Sequence, residues 1–153
     1  MKTLSNPQCK QEILGRIRQV RADSPRRWGK MNAAQMICHL KDSFLGVVGE
    51  RPIPIDPNFR NRKIVKWFAL QVPLRWPHGV PTRPEIDQLS GGGTPPAEFE
   101  EDRERLLNLV ERFSARPLDF QFALHPMFLA MSEREWMRWG YVHCDHHLRQ
   151  FGV

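Results

Sequence analysis

The chain has too little cysteine for a disulfide framework, no apolar run long enough to cross a bilayer, and almost no strand-like alternation of apolar and polar residues. Its three cysteines, Cys9, Cys38 and Cys144, form no CxxC pair. An odd, scattered set favours reduced thiols. Nowhere do about 18 consecutive apolar residues occur, and residues 1–10 lack the apolar run of a secretory leader. A cytoplasmic protein with no membrane partner is therefore expected. Internal repeats and sustained heptads are missing too. The triplet Gly91-Gly92-Gly93 is no phosphate cradle, since no strand pattern precedes it and no GK[ST] follows.

What is present is the balance of a globular domain, with 41% hydrophobic and 26% charged residues among 153. That is too apolar for disorder and long enough for one core, so a single domain over residues 1–153 is expected. Charge is lopsided: residues 1–76 carry 15 basic and 5 acidic side chains, residues 77–153 carry 8 and 12. Arg16, Arg18, Arg21, Arg26, Arg27 and Lys30 form the densest basic stretch. Its ordinary reading is a solvated helix end; the functional one is a docking surface for an anionic ligand or for the acidic half of a second copy. No nucleic-acid reader motif accompanies the charge, and no such partner is expected.

Helical periodicity dominates and predicts an all-α fold. A first helix opens at Asn6-Pro7, carries Ile13, Leu14, Ile17 and Val20 on one face, and ends at Ser24-Pro25. Asn32 caps a second, with Met36, Ile37, Leu40, Phe44, Val47 and Val48 inward. A third segment over 59–72 places Ile64, Val65, Phe68 and Ala69 inward and Arg60, Arg62, Lys63 and Lys66 largely outward. The Pro- and Gly-rich stretch 73–96 is long for a connection inside a compact domain, as functional covers are. A fourth helix over 96–115 uses Leu106, Leu107, Val110 and Phe113. The last begins at the capping box Ser132-x-x-Glu135 and runs to about Phe151.

That last helix carries the chemistry. At 100° per residue, Arg138, Asp145 and Arg149 share what should be its wet face, while His143 and His147 share the stripe of Trp136 and Gly140 and His146 points sideways. Imidazoles four apart on a helix can reach one point, the geometry of metal chelation in HExxH helices. Burying two of them unpartnered costs about 1–3 kcal/mol each, and a shared cation removes that cost. His39, at the edge of the second helix's stripe, supplies a third ligand. Three neutral imidazoles suit Zn²⁺, Ni²⁺ or Fe²⁺ and leave coordination positions open. The same histidines can instead be core residues with ordinary hydrogen-bond partners.

Several stretches resemble the DinB-like (DinB/YfiT-like) superfamily of bacterial metal-binding four-helix bundles, and within it a branch whose activity is not settled. They are Trp28-Gly29-Lys30-Met31-Asn32 with Gln35-Met36 and His39-Leu40, then His125-Pro126 and Phe128, Ser132, Glu135-Trp136, and His143 through Gly152. The resemblance implies an up-down-down-up bundle, often dimeric, with an extra short helix here, and puts His39, His143 and His147 in the places of the three metal ligands. Characterised members of that superfamily include transferases that join low-molecular-weight thiols such as bacillithiol to electrophiles, and a mycothiol-dependent isomerase. It thus implies a metal-dependent thiol transferase acting on a small-molecule substrate, in which the metal lowers the thiol pKa. The alternatives are a metal-dependent hydrolase, or a non-catalytic metal-binding or partner-docking bundle closed by a fourth ligand from Cys38, Asp42 or His146. His125, Gln150 and Asp42 are candidates for the ligands' supporting shell or the substrate side, His125 from a loop where histidines are usually exposed. Asp145 is a weaker one because of its wet face. Cys38 and Cys144 should point away from the ligands, and Trp28, Trp67, Trp136 and Trp139 read as core.

Overall fold

A computed structural model describes residues 1–153 as five α-helices and one short 3-10 turn, with no strand. In order these are α1 (Pro7–Gln19), α2 (Ala33–Val47), α3 (Arg62–Gln71), the turn Pro84–Ile86, α4 (Phe99–Ser114) and α5 (Glu133–Gln150). No helix is long and apolar enough to cross a membrane.

Local chemistry sets most helix starts. Asn6 accepts from the Cys9 amide ahead of Pro7. Asn32 and Gln35 cap each other reciprocally at α2, and Ser132 and Glu135 do so at α5. Each such cap is worth about 1 kcal/mol. The first helix stops at Gln19, short of the Ser24-Pro25 signal, and Val20 turns extended there.

The apolar stripes of α1, α2, α4 and α5 meet in one core. Helix α2 packs chiefly on α4, α1 lies against both α5 and α4, and α5 also touches α2 and α3. Phe44 of α2 meets Phe113 of α4 edge-on at 5.0 Å and Trp139 of α5 at 5.5 Å. Gly140 permits close packing around α5, since a Cβ there would sit 2.7 Å from Leu4 and 2.9 Å from Phe113.

Two expectations about faces are corrected. On α3 the inward stripe is Arg62, Lys66, Ala69 and Leu70, and Ile64, Val65, Trp67 and Phe68 point out. Arg62 donates to the carbonyls of Pro126 and Met127, and Lys66 pairs with Glu135 at 2.9 Å. Those polar contacts, not the apolar stripe, orient the helix. On α5 the supposed wet face is covered: Arg138 is buried, donating to the carbonyls of Leu70 and Lys2, and half-buried Asp145 accepts from Arg16 of α1 at 2.8 Å. Trp136 and Trp139 are core, Trp28 is half-buried, and Trp67 is exposed, against expectation.

Candidate metal centre

Helix α2 carries His39 and α5 carries His143 and His147, all three on the sides that face each other and all buried. Their ring centroids stand 5.4 Å (His39 to His143), 4.6 Å (His39 to His147) and 4.9 Å (His143 to His147) apart. One ring nitrogen from each lies within 4.8 Å of the others, so the cluster can hold a metal ion. A tetrahedral ion with bonds of about 2.1 Å holds nitrogens roughly 3.4 Å apart, which small ring rotations reach from here.

Two of the rings have their tautomers set. His39 Nδ1 lies 2.9 Å from the Ile86 carbonyl oxygen, which can only accept, so Nδ1 carries the proton and Nε2 keeps its lone pair. His147 Nδ1 lies 2.8 Å from Gln150 Oε1 and donates to it in the same way. Holding one ring nitrogen while the other binds is the usual way proteins orient ligand imidazoles. His143 has no such partner; its Nδ1 is buried without any hydrogen bond. An orphaned buried nitrogen costs about 1–3 kcal/mol, a cost that a cation bound at that atom would remove.

Electrostatics agree with a ligand set. Burial pushes the His39 pKa down from its ordinary value despite the Ile86 carbonyl. It pushes His143 and His147 well below theirs, helped by the neighbouring imidazoles. Neutral rings with free lone pairs are what a divalent cation requires.

The 73–96 stretch supplies much of the cover. Its 3-10 turn brings in the Ile86 carbonyl, and Trp76 lies 5.9 Å from His143 and 6.0 Å from His146 between ring centroids. His78 stacks on Trp28 at 3.8 Å, and Trp28 meets His146 edge-on at 4.8 Å. His146 is buried, its Nδ1 is also unpartnered, and burial followed by the Arg149 charge lowers its pKa to about 4. It stands beside the triad but outside its group of nitrogens. A shallow hollow of about 550 Å³ is lined by Arg51, Pro52, Pro84, Glu85 and Gly92 and by none of the histidines.

The supporting candidates divide. Gln150 touches the His147 ring directly. Gly29, at φ +86°, lies against its amide, where a Cβ would stand 3.0 Å from Nε2. Asp42 is fully buried but hydrogen-bonds to no imidazole. It accepts from the Thr94 amide at 2.7 Å, the Thr94 hydroxyl at 2.7 Å, Gln88 at 2.8 Å and Arg51 at 3.4 Å, and so ties the covering segment to α2. His125 is buried rather than exposed. Its Nδ1 accepts from the Met127 and Phe128 amides, each at 3.1 Å, its ring stacks on Phe128, and burial lowers its pKa to about 3. It lies outside the group of three.

Cys38 donates to Asp102 at 3.4 Å, away from the ligands, and burial raises its pKa to about 12. Sequence reasoning missed Ile86, whose part is played by a backbone carbonyl, and Trp76. Tryptophan in a Pro-rich loop was the only available signal for the latter.

Residues 7–152 match the family model described as "Protein of unknown function (DUF1569)", and the chain belongs to that family. No curated protein and no solved structure matches it.

Proposed function

We propose that the protein is a metal-dependent enzyme of DinB-like type, a bundle of α1, α2, α4 and α5 in up-down-down-up order. On this reading α3 and the 73–96 segment are additions, and the reaction transfers a low-molecular-weight thiol to an electrophile. The observation that carries the reading is the arrangement of the three imidazoles. Two are oriented by Ile86 and Gln150, the third has a stranded nitrogen, and all three converge in neutral form.

A divalent cation held there would lower the pKa of a thiol sulfur, or of a water in the hydrolytic alternative. The chain's own residues do the rest. Ile86 and Gln150 keep the Nε2 lone pairs of His39 and His147 aimed inward, and Trp76 restricts water beside His143. An open coordination position is favoured over a closed storage site because the proposed fourth ligands are occupied or displaced. Cys38 is engaged with Asp102, Asp42 with Thr94 and Gln88, and His146 lies outside the converging set. Open positions are what catalytic sites keep.

Cobalt substitution tests this. Protein loaded with Co²⁺ and then given L-cysteine should develop a sulfur-to-cobalt charge-transfer band, and should then consume thiol when an alkyl halide is added. A Co²⁺ spectrum unchanged by thiol would mean a closed site and sink the transferase reading while leaving the metal centre intact.

A further inference from the structure

We propose that the outer face of α3, with the loop that follows it, docks on an anionic lipid surface. Ile64, Trp67 and Phe68 are 60%, 56% and 57% exposed, and Leu70 is the only buried residue of the helix. Covering such side chains is favourable, so a helix that turns this face outward forgoes that gain unless another surface covers it. Exposed Leu74 and Val80 extend the apolar character into the loop.

The charge around this face identifies what covers it. Between residues 57 and 84 there is no acidic residue, against Arg60, Arg62, Lys63, Lys66, Arg75 and Arg83. Arg62, Lys66 and Arg83 turn inward to carbonyls or carboxylates of the chain. Arg60, Lys63 and Arg75 remain exposed, and none has a carboxylate partner. Tryptophan, phenylalanine and isoleucine flanked by unpaired cations suit the boundary between headgroups and acyl chains of a negatively charged bilayer. A second copy seated by two-fold symmetry would instead bring two cationic rims together with no acid to pair them. Trp76, which lies against His143, is in this same stretch and is tied to α3 through the Ala69 carbonyl at 2.9 Å.

Co-sedimentation with vesicles tests the proposal, using phosphatidylcholine alone and phosphatidylcholine with about one third phosphatidylserine, at low and physiological salt. The full chain should partition at least about tenfold more strongly onto the anionic vesicles, and salt should release it. Trp67→Ser combined with Phe68→Ser, and separately Lys63→Glu, should each lower that partition about tenfold or more with an unchanged melting temperature, because these side chains lie outside the core. Wild-type protein that stays in the supernatant with both vesicle types overturns the proposal. So does a dimer in sedimentation equilibrium that the double substitution dissociates, since a second copy then covers the face.

Discussion

His147 Nδ1 donates across 2.8 Å to Oε1 of Gln150, three residues further along the same helix. The helical spacing that brings the two side chains together also aims the opposite ring nitrogen at His39 and His143. A partner of this kind typically accounts for a 10–100-fold difference in metal affinity. Gln150→Leu should therefore weaken zinc binding by about that factor while the helical circular dichroism stays as in wild type, measured by competition with a chromophoric chelator. Equal affinities in the two proteins would remove Gln150 from the site.

The second ring partner, the Ile86 carbonyl, is held in place through Asp42. Asp42→Ala strands the Thr94 amide and hydroxyl and the Gln88 amide, and should cost about 3 kcal/mol of stability, read by urea unfolding. Metal affinity should fall with it, as His39 loses its fixed orientation. Thr94→Val should do the same to a smaller degree. Lost stability with undiminished metal affinity would separate Asp42 from the site.

Burial depresses the pKa values of His39, His125, His143, His146 and His147. The unfolded chain takes up protons near pH 6.5, whereas the folded chain does so only at lower pH. Stability is therefore full above pH 6.5 and is lost as pH falls below it, by up to about 1.4 kcal/mol per pH unit for each such imidazole. Metal-free protein should show a urea midpoint that holds from pH 7.5 to about 6.5 and drops steeply from there to about 5.5. A flat midpoint over that range would contradict the buried, neutral state of the cluster.

Away from the site, Lys41 of α2 and Asp102 of α4 form a buried ion pair, which Cys38 and the Ala97 amide also join. Removing one partner leaves a buried charge, so Asp102→Ala should destabilise the protein by about 3–5 kcal/mol. The apolar double replacement Lys41→Met with Asp102→Leu should recover most of that loss, which a double-mutant cycle measures.

Which parts of this were legible in the sequence follows from where the determining forces act. Caps at Asn6, Asn32 and Ser132 are local, and their helices begin where the residues say. His39, His143 and His147 converge as the spacing implies, because the stripes of α2 and α5 that carry them are also the stripes that build the core. The face of α3 was not legible. Periodicity revealed an apolar stripe, but Arg62 and Lys66 find partners at residues 126, 127 and 135, far away in sequence. Arg138 and Asp145 misled for the same reason, since their partners at Lys2, Leu70 and Arg16 are long-range. Ile86 was invisible because a carbonyl acceptor leaves no mark on residue identity. His125, a candidate for the site from a loop position where histidines are usually exposed, instead closes its own loop by accepting two amides.

Whether His39, His143 and His147 hold a metal ion is decided by the metal content of the protein. Protein purified without a nickel column, as wild type and as His143→Ala with His147→Ala, would be analysed by plasma mass spectrometry and by thermal unfolding with and without added Zn²⁺ or Ni²⁺. About one metal per wild-type chain is expected, almost none in the variant, and a melting temperature that rises on metal addition only in wild type. Wild-type protein that carries no metal and whose melting temperature ignores added Zn²⁺ and Ni²⁺ would contradict a metal centre there and return the three histidines to the core.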